Sequence, residues 1–455
     1  MEIVKISDIR GAEYNPRHIS AEAFEELKGS VSKLGFILPI IVNKDNSTIV
    51  AGHQRVKAAV ELGIEEVPCF YVSGIDIESE ILYNQMHNGT GFEPEENGKC
   101  LKHRESGRFY IGVSADDFVI DEFNALYVSE ICRLICRFGD ALCAIVCGND
   151  VVYGNNYLRA AKYTCGVANV YYLEEEKRGL FDYYFKKDYG SFCYEHVERN
   201  DFVQGLAQLN RHATDGWSVL YRECVFPYLE ELNGDRENLR ILDFGCGKAA
   251  CITQLRKKYG YKKAIGIEFY NHNKKGIAKA KADEMIEKFI EMVKEHGKFD
   301  IVICDSVLNS VVSQEAEDAV LACLNLFLKK GGAIFVSGRS KETWEAEKKL
   351  KRTTKAGLGV AFLDEHGLTG FMREGQWYFQ KFHSKEDVDE LTERCGIDVF
   401  TRYYCGTWGF GGYKTKELSQ EEYIKAVDYE FNLKLPGGKR YNRHEEIKEL
   451  FGLKL

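Results

Sequence analysis

The sequence predicts an α/β protein in which a doubly wound, mostly parallel sheet follows two small α+β units in tandem. From residue 239 onward, strand-like runs alternate with helical ones, as they do in folds with a parallel sheet. Residues 33–72 and 137–173 repeat one pattern of two short strands, a helix and a further strand. At 455 residues and 45% apolar side chains, the chain is long enough for several compact domains.

The chain is expected to have four segments. They are residues 1–95, 96–200, 201–400 and 401–455, the last being a C-terminal extension. The first segment holds 8 basic and 15 acidic side chains, within a total of 61 and 70. Proteins that bind DNA phosphates usually carry a basic surface, so any nucleic-acid contact of this segment is expected to be local.

Neither a membrane span nor a secretion signal is expected. No run approaches the roughly 18 apolar residues of a span, and “MEIVKISDIRGAEYN” lacks the basic-then-apolar layout of a signal. We therefore expect a cytoplasmic protein.

The 15 cysteines are scattered and odd in number, as is typical of reduced thiols. One cluster comprises Cys132, Cys136, Cys143 and Cys147. It fits either a four-thiolate zinc site or small residues that pack a helix on a strand. The loose CxxxC spacing favours packing, and no metal is predicted.

The first repeat carries a candidate phosphate site. “ILPIIV” and “STIVAG” are strand-like runs separated by the turn-like “NKDNS”, and “HQRVKAAVELG” is a helix that ends at Gly63. Because this helix begins directly after Gly52, its free backbone amides face whatever ligand lies over that glycine. Arg55, on the first turn of the helix, adds a positive charge.

The second repeat lacks this charge. “GNNYLRAAKYTCG” aligns with “GHQRVKAAVELG” once one insertion is allowed, at a repeat distance of about 102 residues. Tyr157 stands in the place of Arg55, and the “NPR” of residues 15–17 has no counterpart. We expect the second repeat to be a scaffold that has lost its ligand site.

The first repeat resembles the N-terminal domain of the ParB chromosome-partitioning proteins and their sulfiredoxin-fold relatives. The resemblance rests on NPR, GxxxPIxV, IVAGxxR and AAxxxGxxxVP, which follow one another in this order. It implies that Gly52, His53 and Arg55 hold the phosphates of a nucleotide, CTP or ATP. It also implies that Glu80 and Asn84 help to hold Mg²⁺ or the triphosphate.

Two positions depart from these families. The partition proteins usually have two adjacent arginines where this chain has Gln54 and Arg55. Sulfiredoxins need a cysteine where this chain has His53, so their chemistry is excluded. Nucleotide hydrolysis and an inherited fold used only for docking both stay open.

The C-terminal part follows the order of a doubly wound sheet. Strands are predicted at 239–244, 264–268 and 300–304, with helices from residue 248 and after Asn273. “FLKKGGAIFVSGR” adds a glycine turn and a further strand. In such folds the ligand binds at the carboxyl ends of the strands.

The turn after the first of these strands helps to choose between a dinucleotide and S-adenosylmethionine as the cofactor. A dinucleotide site has the pattern GxGxxG, with the pyrophosphate at the helix N-terminus. Here Asp243 precedes Gly245 and Gly247, and no third glycine follows. A carboxylate at position 243 repels a pyrophosphate but suits an ammonium group, which S-adenosylmethionine carries. Glu268, at the end of the second strand, suits the ribose hydroxyls of either cofactor.

This segment resembles the class I S-adenosylmethionine-dependent methyltransferases over residues 205–400. The matching parts are “LDFGCG”, “IGIE”, “FDIVICDSVLNSV” and “LKKGGAIFV”, in that order. The resemblance implies a Rossmann-like domain. The cofactor-binding residues that it implies are Asp243, Gly245, Gly247, Glu268 and Asp305. It also implies a third strand near the adenine, which only “KAKADEMIEKF” can supply, with Asp283 as its acid.

Residues after the fourth and fifth strands are candidates for methyl transfer, in which the protein positions a nucleophile and accepts a proton. The catalytic candidates are Asp305, Asn309 and Arg339, with Ser337 beside them. Enzymes that methylate amino groups of DNA bases carry [DNS]PP[FYW], whereas this chain has “DSVL” there and no two adjacent prolines. The Pro-Cys of cytosine C5 enzymes occurs only at residues 68–69, in the first repeat.

Near the C-terminus a basic group surrounds a glycine turn and fits either a phosphate contact or a solvated helix entry. It comprises Lys439, Arg440, Arg443 and His444.

By family analogy we expect an S-adenosylmethionine-dependent methyltransferase of a phage or mobile element, acting on a nucleotide or nucleic-acid-linked substrate. A small-molecule methyltransferase and a nucleotide-switched DNA-binding adaptor without transfer activity stay open, as does the oligomeric state.

Overall fold

The structure is a computed structural model that divides into two compact units. It describes residues 1–89, 98–185, 187, 189, 191–200, 217–232, 236–273, 276–343, 363–373, 375–435 and 438–454. The first unit is built mainly from Met1–Val197, and the second begins at Glu198. The predicted boundary after residue 95 falls within 90–97 and the one after residue 200 adjoins 201–216, and both of these ranges lie outside the described residues. In the described ranges, no helix has the length and apolar character needed to cross a bilayer.

The first unit contains both repeats. The elements of the first repeat are β1 (Glu2–Lys5), β2 (Arg17–His18), α1 (Ala21–Leu34), β3 (Ile40–Asn43), β4 (Thr48–Ala51), α2 (His53–Glu61), β5 (Glu66–Val72) and α3 (Ile77–Gly89). Those of the second are β6 (Gly98–Cys100), β7 (Arg108–Ser114), β8 (Phe118–Val119), α4 (Ala125–Phe138), β9 (Ala144–Cys147), β10 (Asp150–Tyr153), α5 (Asn155–Tyr163), β11 (Val167–Leu173) and α6 (Arg178–Tyr184). A short strand, β12 (Ser191–Phe192), follows.

The two repeats share one topology. The first sheet has the order β1-β5-β3-β4, and the second contains the matching order β7-β11-β9-β10, extended by β6 and β8. Helix α1 matches α4 at 14 residues each, and α2 matches α5 at nine. Buried side chains from both repeats, such as Phe70 and Ile145, pack in one apolar cluster. The duplication predicted from the sequence is therefore present in three dimensions.

The second unit is built on a large mixed sheet. After a π-helical turn (Tyr221–Val225), its elements are α7 (Phe226–Leu232), β13 (Ile241–Phe244), α8 (Ala250–Lys257), β14 (Ala264–Ile267), β15 (His272–Asn273), β16 (Gly276–Ile277), α9 (Lys279–His296), β17 (Phe299–Asp305), α10 (Gln314–Phe327) and β18 (Leu328–Ser340). These are followed by β19 (Leu368–Arg373), β20 (Gln376–His383), α11 (Lys385–Arg394), β21 (Ile397–Tyr404), β22 (Thr407–Lys414), α12 (Gln420–Glu430) and α13 (His444–Leu450).

The centre of this sheet is parallel, as predicted. Strands β14, β13, β17 and β18 lie side by side in this order, and β18 also pairs antiparallel with β22. All four residues of β13 are buried, as expected of a strand covered on both faces. The predicted boundary after residue 400 falls inside β21, which pairs with β22, so the sheet continues past it.

The expected third strand within “KAKADEMIEKF” is wrong, because this segment belongs to helix α9. The buried residues of α9 are Ala282, Ile286, Phe289, Ile290 and Val293. Their spacing of three to four residues is that of a helix with one apolar face. The strand is expected here only because the resemblance implies a third strand in this part of the chain, whereas the apolar period of the segment is helical.

Candidate functional sites

Three predicted acids lie at the carboxyl ends of neighbouring parallel strands in the second unit; we call this the strand-end site. Asp243 is the penultimate residue of β13, Glu268 directly follows β14, and Asp305 ends β17. Strand β13 lies between the other two strands, and all three side chains are buried. The structure therefore brings the three carboxylates to one edge of the sheet, where ligands of such folds bind.

The glycine turn after β13 is held in place by Glu268. Its Oε2 accepts the Gly247 amide at 2.9 Å, and its Oε1 accepts the Tyr270 amide at 3.0 Å. Gly245 has φ 74°, and a Cβ there would lie 2.4 Å from the Val307 side chain. Only glycine fits this close approach without displacing its neighbour. Each Glu268 oxygen can accept a second hydrogen bond, so the carboxylate can also bind hydroxyls.

Tyr221 is a member of the strand-end site that the sequence did not indicate. Its hydroxyl donates to Asp243 Oδ2 at 3.0 Å, and its side chain is fully buried. Burial first, and the Asp243 carboxylate second, hold the pKa of Tyr221 well above its ordinary value, so the hydroxyl keeps its proton. Tyr221 lies 22 residues before Asp243 in a helical segment rich in aromatic residues, and no local sequence pattern indicates this contact.

The predicted catalytic residues adjoin this edge through β17 and β18. Asp305 Oδ1 accepts the Ser337 hydroxyl at 2.7 Å. Asn309 Oδ1 accepts the Arg339 backbone amide at 2.5 Å, and the Arg339 guanidinium donates to Gln380 at 3.1 Å. Asn309 and Arg339 therefore meet, and Arg339, near the end of β18, also bonds β20 through Gln380. Their part in catalysis stays a prediction.

Asp283 lies on α9 rather than at a strand end. Both of its carboxylate oxygens accept hydrogen bonds from Lys279, at 2.9 and 2.7 Å. The pair is one helical turn apart and partly exposed. The predicted contact of Asp283 with the adenine stays a prediction, although the strand on which it depends is a helix in the structure.

The first unit contains a cavity of about 260 Å³ beside the turn at Gly52; we call it the first-repeat cavity. Four of the five predicted nucleotide-binding residues line it: Gly52, His53, Arg55 and Asn84. Its described lining includes three cations, Arg17, Arg55 and Lys187, and neither Asp nor Glu. In a protein with a net charge of −9, this composition favours an anionic ligand.

Arg55 and His53 differ in charge. The Arg55 guanidinium donates to the Leu38 carbonyl and, at 3.3 Å, to the Pro39 carbonyl. Burial lowers the pKa of Arg55 to about 10, so it remains cationic at neutral pH. His53 Nε2 accepts the Ala12 amide at 3.1 Å, and burial lowers the pKa of His53 to about 4. His53 is therefore neutral and fixes the loop that precedes “NPR”.

Glu80 is placed differently from the expectation. Its carboxylate is fully buried and accepts hydrogen bonds from Tyr14 at 2.9 Å, Asn43 at 2.6 Å and Asn46 at 3.1 Å. It is not among the residues that line the first-repeat cavity. Asn84 does line it, while its amide donates to a backbone carbonyl of β4. A Mg²⁺ ion in this cavity would thus have no carboxylate ligand from the described lining.

The second repeat fills the equivalent position with its own side chains. The Tyr157 hydroxyl donates to Asp140 at 2.7 Å and accepts the Asn169 amide at 2.9 Å. A cavity of about 40 Å³ lies beside Gly154, the counterpart of Gly52, and residues of the first repeat such as Leu38 and Arg55 line it too. That the second repeat is a scaffold without a ligand stays a prediction.

The structure also bears on the cysteine cluster and the basic tail. Among the described residues, no cysteine belongs to a group of three or more metal-ligating atoms within 4.8 Å of one another. Cys143 packs in the apolar cluster shared by the two repeats, whereas Cys132 packs against a different apolar cluster. In the tail, Arg443 pairs with Glu287 at 2.8 Å and Glu446 at 2.6 Å, which favours the helix-entry interpretation for that residue.

Comparisons with known proteins match both parts of the chain. Residues 1–86 match the family described as the ParB N-terminal domain, and residues 218–399 match a family described as a methyltransferase domain. The stage 0 sporulation protein J of Bacillus subtilis is 44% identical over 71 residues, 15% of this chain and 25% of that protein. The ParB-like nuclease domain-containing protein YnaK of Escherichia coli is 33% identical over 67 residues, 15% of this chain and 76% of that protein.

Solved structures include similar chains as well. An S-adenosylmethionine-dependent methyltransferase from Clostridium acetobutylicum is 13% identical, with a TM-score of 0.31, covering 46% of this chain and 96% of its own. The chain spans only 24% to 48% of the length of three of its curated relatives.

Proposed function

This chain belongs to the ParB-like domain family through its N-terminal repeat and carries a methyltransferase domain behind it, and on this premise we propose that it transfers methyl groups from S-adenosylmethionine. We propose a nucleotide or a nucleic-acid-linked molecule as the acceptor. The observation that carries the transfer activity is the strand-end site, where Asp243, Glu268 and Asp305 meet beside a glycine turn.

The residues of the strand-end site fit this cofactor. Asp243 can accept hydrogen bonds from an ammonium group while Tyr221 holds its other side. Glu268 can accept two ribose hydroxyls in addition to the backbone amides that it binds now. A dinucleotide fits less well, because its pyrophosphate would lie against the Asp243 carboxylate.

S-adenosylmethionine, when bound, supplies an electrophilic methyl group on a sulfonium. The protein's own task is to orient the acceptor and to take up a proton where the acceptor releases one. Asp305 is the best-placed base, because it ends a strand next to that of Asp243. Asn309 and Arg339, which bond each other on the chain after β17 and near the end of β18, would position the acceptor.

The test is donor binding and methyl incorporation by the full chain. We expect Asp243→Asn to weaken S-adenosylmethionine binding at least tenfold in calorimetry, since one charge-assisted hydrogen bond is worth about 1.5–3 kcal/mol. Asp398→Asn, an exposed carboxylate on β21, is the matched control and should bind as wild type does. Equal binding by the Asp243 variant would refute the assignment of the site.

Tritiated methyl transfer to DNA, RNA, free nucleotides or a small-molecule extract would then identify the acceptor. Incorporation only into small molecules would favour the small-molecule alternative. Donor binding without incorporation anywhere would favour a nucleotide-switched adaptor. The nucleic-acid link is supported by the N-terminal domain, whose relative YnaK is named for a nuclease domain.

A second candidate function is nucleotide binding in the first-repeat cavity. Its support is the charge of the cavity, whose described lining holds three cations and no acid. The turn at Gly52 adds the free amides of α2, to which phosphate oxygens bind well. We expect CTP or ATP to raise the thermal stability of the protein, and uncharged nucleosides to raise it much less.

A further inference from the structure

The chain that follows the second repeat returns to the first-repeat cavity. Phe185, Lys187 and Tyr189, together with β12, form what we call the returning segment. Strand β12 pairs antiparallel with β2, and the Cys193 amide donates to the Pro16 carbonyl at 2.7 Å. The segment is thereby attached to the “NPR” motif of the first repeat, within the same unit.

Lys187 brings a cation to this cavity from outside the first repeat. Its ammonium donates to Glu26 Oε1 at 2.7 Å and lies 4.0 Å from the centre of the Tyr183 ring. The side chains of this ion pair are 33% and 42% exposed, so the pair is only weakly stabilising in water. A phosphate group, with more charge than a carboxylate, can compete for such an ammonium.

Among the buried polar atoms on the cavity lining, the Tyr189 hydroxyl and Gln54 Oε1 have no hydrogen-bond partner in the described part of the chain. A buried polar atom without a partner destabilises the folded protein, so a ligand that supplies a partner is favoured. The Gln54 amide nitrogen, by contrast, already donates to the Arg17 carbonyl at 3.0 Å.

We infer that the returning segment completes the ligand site of the first repeat in the same chain, with Lys187 as a phosphate-binding residue and Tyr189 as a nucleoside-binding one. The inference rests on the proposed nucleotide binding of the first-repeat cavity. The ligand class is a nucleoside polyphosphate, because the cavity offers three cations for phosphates, and the Tyr189 hydroxyl and Gln54 Oε1 for a ribose or base. The second repeat, whose own turn is filled by Tyr157, thus contributes to binding through the segment behind it.

The test compares three probes, CTP, ATP and inorganic tripolyphosphate, by calorimetry on the full chain. Lys187→Gln should weaken all three about three- to tenfold, as loss of one partly exposed charged contact predicts. Tyr189→Phe should weaken the two nucleotides by a similar factor and leave tripolyphosphate unchanged. Glu26→Gln should strengthen all three, because it releases Lys187 from its present partner.

Lys177→Gln is the matched control, since Lys177 is 31% exposed, pairs with Glu174 at 2.9 Å and does not line the cavity. It should bind each probe as wild type does. If wild type binds nucleotide but the Lys187 and Glu26 variants are indistinguishable from it, the inference is overturned and the proposed nucleotide binding stands. If wild type binds none of the three probes, both are overturned.

Discussion

Replacing Gly52 by alanine should destabilise the first unit by about 3 kcal/mol. Gly52 has φ 101°, a region that costs an L-residue about 1–2 kcal/mol. Its new Cβ would lie 2.6 Å from Ile40 Cδ1, and Ile40 is fully buried in the core. Relieving such an overlap in a packed core costs a further 1–3 kcal/mol, roughly. The measurement is hydrogen exchange of the β4 and α2 amides, which reports the opening of this part of the unit.

Gly63→Ala is the control for the backbone cost alone. Gly63 has φ 70°, and a Cβ there would meet no atom within 4 Å. Its variant should lose only about 1 kcal/mol. If the two variants differ by less than about 0.5 kcal/mol, the close approach of Gly52 to the core does not contribute, and the reasoning is refuted.

Three further variants test buried polar groups. Tyr221→Phe should cost about 1–3 kcal/mol in urea unfolding, because Asp243 loses a buried donor, and should also weaken donor binding. Lys381→Met should cost about 1.5–3 kcal/mol in the same assay, since it removes one of the two side chains, Lys381 and His383, that bond the buried Glu317 carboxylate, whereas a loss below 1 kcal/mol would contradict this pairing. Burial raises the pKa of Asp140 to about 6, so the folded state holds a proton between about pH 4 and 6 that the unfolded state releases. Relative to Asp140→Asn, wild type should therefore gain about 2 kcal/mol as the pH falls from 7 to 4, and a parallel pH dependence of the two proteins would refute it.

The strand-end site shows how far local patterns reach. The run “ILDFGCG” predicts a buried strand, a turn and an acid, and the structure contains all three at the expected positions. Glu268 and Asp305 could be predicted for the same reason, because each follows an apolar strand of recognisable period. The α9 segment could not be assigned from its first turn, since its helical period becomes clear only over the following residues.

What the sequence by itself determined is the two-part organisation, the duplication and the acids and glycines at the strand ends. These features depend on neighbours within a few residues, where hydrophobic period and turn chemistry act directly. Only the tertiary structure placed Tyr221 on Asp243, turned Glu80 toward Asn43 and away from the cavity, and put Lys187 on the lining of the same cavity as Arg17 and Arg55. Those contacts join residues far apart in the chain, and such pairs are decided by how whole elements pack against each other.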